Sequence, residues 1–288
     1  MTPLASNGLL LASLLGTAPE AVAPSRSPRP NVLIFLADDM GPGDTRSYDP
    51  ACPIPTPHLD RLAEEGLRFL DAHSPSSVCS PSRYGLLVGR YCWRTRLRTG
   101  VLQPGARPLL EANERTLASM LRGEGYRTAC IGKWHLGLRR AEAGGEEAGP
   151  VVDGPLQHGF DEFFGVEGNL SDRWPKSFLD GTAVRAAPES GWNPRAVEPA
   201  YLERAQAFLH SHLSADPGRP FFLYYSPNAN HKPYVPAERL AGQRVAGATG
   251  EGPRADMVLG NDRALGALLA TLAEYDALDR TLDRKSVV

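Results

Sequence analysis

The chain has 288 residues, 42% hydrophobic and 22% charged, with a formal net charge of −2. It can bury a sizeable core, which excludes wholesale disorder, and it has no general basic field for nucleic acid, so an anionic ligand has to be recognised locally. Its four cysteines, Cys52, Cys79, Cys92 and Cys130, show no metal-type spacing and are too few for a disulfide scaffold, and no apolar run is long enough to span a bilayer.

Leu9 to Leu15 reads as the core of a signal peptide, with Ala21-Val22-Ala23 as a small-residue cleavage site, although no Lys or Arg precedes it. A periplasmic or secreted location is therefore expected ahead of a cytoplasmic one. Past a Pro/Ser/Arg linker, Val32 to Ala37 is an apolar run without alternation, as in a strand of a parallel sheet buried on both faces. It ends in Asp38-Asp39, at the carboxyl end of a strand, where open α/β sheets bind ligands. Adjacent carboxylates repel unless a cation lies between them, which favours a hard metal. Read alone, Asp-Asp before Gly41-Pro42-Gly43 is also ordinary turn chemistry.

Thr56-Pro57 starts a covering helix with Leu59, Leu62 and Ala63 inward and His58 and Asp60 solvated, and Leu67 to Asp71 is expected to return to the sheet. Ser80 then caps a short helix over Pro81 to Val88, closed by Gly89. This places Cys79 at the helix mouth, where backbone N–H groups attract anions, and Arg83 one turn in, with a guanidinium fork suited to oxyanions. A cysteine before a short helix is equally compatible with a small buried hydrophobe.

Leu117, Met120 and Leu121 pattern another helix, followed by a buried strand over Tyr126 to Ile131 and then Gly132-Lys133-Trp134-His135-Leu136-Gly137. If this stretch stays extended, Lys133 and His135 share a face. Arg139 to Pro155 reads as a surface loop, and Asn169 to Ala200 as irregular loops facing a substrate. Tyr201 to Leu213 reads as a helix with His210 and His212 exposed, and Pro220 to Tyr225 as a buried strand that leads to His231-Lys232-Pro233. Ala255 to Leu278 is helical, and Asp279 to Leu282 approaches a further strand. Alternating strands and helices predict an α/β fold, a mostly parallel central sheet covered by helices on both faces.

Four blocks carry a family resemblance: Asn31 to Gly41, Cys79-Ser80-Pro81-Ser82-Arg83, Gly132 to Gly137, and His231 to Pro233. Together they resemble the type I sulfatases of the alkaline phosphatase superfamily. The resemblance implies that Cys79 is oxidised to formylglycine by a maturation enzyme, and that one calcium ion is held by Asp38, Asp39 and the modified Cys79. It further implies that Arg83 and Lys133 grip the sulfate, that His135 serves as a base, and that His231 assists the leaving group. The implied substrate is a small-molecule or carbohydrate sulfate ester. Phosphonate monoester or phosphodiester hydrolysis and a noncatalytic remnant are the competing readings. Residues 1–29 are expected to be leader and linker, and 30–282 a catalytic domain that lacks the family's later calcium ligands and second lysine. Residues 283–288 are expected to be a non-native tail.

Overall fold

The computed structural model describes residues 29–142, 149–170, 177–185 and 191–287. The expected leader core, Leu9 to Leu15, lies outside the described residues. In chain order the elements are β1 (Asn31–Ala37), α1 (Pro57–Glu65), α2 (Cys79–Val88), α3 (Leu117–Gly123), β2 (Arg127–Lys133), β3 (Arg139–Arg140) and β4 (Val151–Asp153). They continue with β5 (Glu162–Val166), β6 (Phe178–Asp180), β7 (Ala183–Arg185), α4 (Val197–Ala215), β8 (Phe221–Ser226), β9 (Arg239–Leu240), β10 (Gln243–Arg244), α5 (Pro253–Glu274) and β11 (Thr281–Val287).

The main sheet runs β11-β1-β8-β2-β5-β6-β7. Its first five strands are parallel, and β6 and β7 are antiparallel additions at one edge. Alternation along β8 explains why an unbroken apolar run was required. Phe221, Leu223 and Tyr225 pack against α4 and α5 on one face, while Phe222 and Tyr224 pack with α2 and α3 on the other. All of these side chains are buried. The expected mostly parallel sheet between helical layers is therefore present.

Several local expectations give way. Leu67 to Asp71 does not enter the sheet, and Leu67 is 87% exposed. Tyr48 Oη donates to the Phe69 carbonyl oxygen (3.1 Å), so this segment rests on a neighbouring loop instead. Part of the expected loop from Arg139 to Pro155 forms the β3–β4 pair, and part of the irregular region from Asn169 to Ala200 forms β6 and β7. Asp60 accepts from Ser47 N (2.8 Å) and Thr56 Oγ1 (3.2 Å) rather than standing in solvent. His212 is buried, with Nε2 2.8 Å from the Arg219 carbonyl oxygen. The backbone of 283–287 lies in β11, paired with β1 from Asn31↔Thr281 to Ala37↔Val287.

Two glycines let the strand ends close on the site. A Cβ on Gly132 (φ +119°) would lie 2.0 Å from the Ser226 carbonyl oxygen, and one on Gly165 would lie 1.7 Å from the Gly132 carbonyl oxygen. β8, β2 and β5 thus approach more closely at their carboxyl ends than any side chain at these positions would permit.

Candidate active site

The site lies at the carboxyl ends of β1, β2 and β8, facing the first turn of α2. Cys79 is the first residue of that helix and is buried; Val78, not Ser80, occupies the capping position. Ser80 Oγ instead accepts from Leu102 N (3.2 Å), so the hydroxyl ties the helix to the loop beyond it. Gly89 closes the helix as expected, with φ +72° and its N–H donating to the Gly85 carbonyl oxygen (2.9 Å).

Arg83, fully buried one turn into α2, reaches across to the sheet. Its NH1 donates to the Lys133 carbonyl oxygen (2.8 Å), Tyr224 Oη (3.4 Å) and Ser226 Oγ, and its NH2 lies 3.6 Å from Asp38 Oδ1. Lys133 Nζ donates to Asp38 Oδ2 and to Asn169 Oδ1 (2.6 Å). Burial pushes the Asp38 carboxyl up, but Lys133 and Arg83 outweigh it and hold Asp38 below its usual range. Burial likewise pulls Arg83 down, and Tyr224, Asp38 and Cys79 more than restore it. The result is a closed ring of one carboxylate and two cations. Within it Asp38 Oδ1 and Arg83 Nε and NH2 are buried without a hydrogen-bond partner.

His135 reaches the same interior by a turn and not by strand alternation, since β2 stops at Lys133 and His135 has φ +56°. Its Nε2 is 3.0 Å from the Leu102 carbonyl oxygen, which assigns the proton to Nε2 and leaves the buried Nδ1 lone pair without a partner. Burial, reinforced by Lys133 and Arg83, lowers its pKa to about 3. His231 follows β8 at the rim, with Nδ1 2.7 Å from the Lys232 carbonyl oxygen and Nε2 4.0 Å from Asp39 Oδ2. Asp39 itself has φ +60°, and its side chain is half exposed.

The Sulfatase family model matches residues 30–282. The chain belongs to the sulfatase family. It is 36% identical over 276 residues to arylsulfatase A of Bos taurus, spanning 88% of this chain and 50% of that protein. It is 29% identical over 308 residues to an N-acetylgalactosamine-6-O-sulfatase of Bacteroides thetaiotaomicron, spanning 89% and 58%. Among solved structures, a Bacteroides thetaiotaomicron sulfatase from a study of glycosaminoglycan metabolism superposes with TM-score 0.76 at 28% identity, covering 88% of this chain and 61% of that one. The PsFucS1 sulfatase of Pseudoalteromonas sp. superposes with TM-score 0.74 at 28% identity, covering 90% and 55%. The chain thus spans about half the length of the curated relatives it matches.

In this sulfatase-family chain the donors expected for calcium do not form a cage. Asp38 spends its charge on Lys133 and Arg83, Asp39 turns outward, and no group of three or more His, Cys, Asp or Glu among the described residues is arranged to hold a metal. Calcium takes six to eight oxygens. The carboxylate repulsion that pointed to a metal is relieved here by the chain's own cations.

Residues that sequence reasoning passed over complete the site of this sulfatase-family chain. Tyr224 and Ser226 carry the guanidinium, and Asn169, the first residue of the expected irregular region, holds Lys133. Glu198, in the first turn of α4, accepts from Asn228 N (2.9 Å) and Ala229 N (3.1 Å) and so fixes the chain leading to His231. Burial pushes its carboxyl up to about 7 despite those two bonds. Arg254 NH2 donates to the Asp39 carbonyl oxygen (3.0 Å) and binds Asp44, pinning the turn after β1. Nothing in the sequence pattern around these residues marks them out. They sit in ordinary strand ends and helix starts, and only the fold makes them neighbours.

Proposed function

We propose that the full-length protein hydrolyses a sulfate monoester, with position 79 converted to formylglycine by a maturation enzyme. The observation that carries this reading is the placement of Cys79 at the N-terminus of α2, beside the buried ring of Asp38, Arg83 and Lys133. The names of two relatives, an arylsulfatase and an N-acetylgalactosamine-6-O-sulfatase, support an aryl or carbohydrate sulfate as the substrate class. Formylglycine, when formed, supplies a hydrated aldehyde: one hydroxyl bonds to sulfur as the sulfur–alcohol bond breaks, its proton passing to solvent, and the other allows the sulfate to be expelled.

Arg83, Lys133 and the first N–H groups of α2 hold the sulfate oxygens as charge develops on them. His231, near the rim, gives its proton to the departing alcohol oxygen, so the alcohol leaves neutral. His135 Nδ1, which already carries a lone pair, takes the proton of the second hydroxyl as the carbon–oxygen bond to sulfate breaks. The negative charge of a bound ester offsets the two cations that depress His135 and raises its basicity when it is needed. Among the described residues the donors fall short of a calcium site.

The test is co-expression of the full-length protein with a formylglycine-generating enzyme, then mass spectrometry and hydrazide labelling of the peptide containing position 79. An aldehyde at that position and loss of sulfate release in Cys79→Ala are expected. Undiminished turnover by Cys79→Ala, or faster turnover of phosphodiesters than of sulfate esters by the matured protein, refutes the reading.

A further inference from the structure

The protein carries a local concentration of positive charge that catalysis does not use. From Ala72 to Leu110 there are six arginines and neither Asp nor Glu, in a chain whose net charge is −2. Arg83 is absorbed by the site and Arg90 is paired with Glu114. Arg94, Arg98 and Arg107 are exposed and have no acidic partner among the described residues, and Arg96 donates to the carbonyl oxygens of Arg107 and Pro108 (3.1 Å to the latter). That contact brings the two arginine-bearing stretches side by side.

Two exposed aromatic rings lie within this charge. Tyr91 and Trp93 are 55% and 58% exposed and stack with centroids 5.9 Å apart and an interplanar angle of 19°. Between them Cys92 is buried, with Sγ 3.5 Å from the Leu97 carbonyl oxygen, and Thr95 Oγ1 donates to the Cys92 carbonyl oxygen (2.7 Å) and accepts from Leu97 N (3.1 Å). The turn is thus held from below while its rings and guanidinium groups face outward. Leaving large rings in water has no benefit for folding, and a preformed aromatic pair flanked along the chain by Arg90 and Arg94 is suited to an anionic ligand with apolar faces.

The same stretch of chain leads back to the candidate active site. Leu102, four residues past Arg98, is hydrogen-bonded through its N–H to Ser80 and through its carbonyl to His135. We propose that the surface formed by Tyr91, Trp93, Arg94, Arg98 and Arg107 binds a sulfated polysaccharide chain, holding the polymer while one sulfate ester occupies the pocket. Pyranose rings present C–H faces to the aromatic pair, and sulfate groups accept the guanidinium forks. The substrate polarity rests on the sulfatase reading above, whereas binding at this surface is measured without turnover.

The test uses the full-length protein carrying Cys79→Ala, titrated calorimetrically with chondroitin sulfate and with desulfated chondroitin at several salt concentrations. Binding is expected to require the sulfates and to weaken about tenfold or more in Trp93→Ala/Arg94→Glu/Arg98→Glu, with a shallower salt dependence. A saturating small aryl sulfate is expected to leave most polymer binding in place. The proposal is overturned if the triple variant binds as tightly, if the desulfated polymer binds equally well, if the small ester displaces the polymer completely, or if single-stranded DNA binds as tightly with the same residue dependence. In the matured protein the triple variant should keep its turnover of a small aryl sulfate. If no matured form releases sulfate, the catalytic reading fails while the polymer titration still decides this one.

Discussion

Replacing Lys133 by Met tests whether the buried ring is held together by charge. Both Lys133 and Asp38 are fully buried, and the substitution removes the hydrogen bonds to Asp38 and Asn169 while keeping most of the side-chain volume. Asp38 is left with Arg83 at 3.6 Å as its remaining cation and with Oδ1 already lacking a hydrogen bond. Removing one partner of a buried ion pair costs about 3–5 kcal/mol, a large share of the ~5–15 kcal/mol that stabilises a typical domain. Asp38→Asn in the same background removes the stranded charge, so the double variant should be more stable than the sum of the two single losses predicts, by about 2 kcal/mol or more. Urea unfolding followed by tryptophan fluorescence provides the assay, since Trp134 adjoins Lys133 and is 1% exposed. Additivity of the single variants within about 0.5 kcal/mol would show that Lys133 and Asp38 are not coupled.

Two further outcomes follow from the geometry. His135, held near a pKa of about 3 by burial and by Lys133 and Arg83, refuses a proton that the unfolded chain accepts at its ordinary value of 6.5. Stability is therefore lost as pH falls from about 6.5 toward about 3, and relative to His135→Gln the protein should lose about 1.4 kcal/mol between about pH 7.5 and about pH 5.5. Denaturant titrations at the two pH values check this, and a constant gap contradicts it. Gly132→Ala forces a Cβ to within 2.0 Å of the Ser226 carbonyl oxygen, and the expected loss is about 2–4 kcal/mol. Gly123→Ala at the end of α3, where a Cβ meets nothing within 4 Å, should change stability by less than about 1 kcal/mol. Equal thermal midpoints for the two variants would remove the close approach of β2 and β8 as a constraint.

The strands were legible wherever burial on both faces left an unbroken apolar run, as in Val32 to Ala37 and Pro220 to Tyr225, because such a run has no other stable place in a soluble fold. Leu67 to Asp71 misled for the same reason in reverse: two leucines and a phenylalanine look like a strand, but in the structure nothing covers Leu67 and Leu70. The small edge strands β6 and β7 lack a run of their own, and their pairing is set by the strands they join.

By itself the sequence determined the local settings of Cys79, Arg83, Lys133 and His231, because a helix start or a strand end at each of them follows from the neighbouring residues. Only the tertiary structure decided what balances Asp38. Its partner Lys133 is 95 residues away and Arg83 lies on a different element. Local pattern foretold a charge needing a counter-ion, whereas the choice of that counter-ion depends on which strand ends the sheet order brings together. The same folding explains His135, whose place was set by a positive-φ turn and the Leu102 carbonyl oxygen, an arrangement that strand periodicity does not encode.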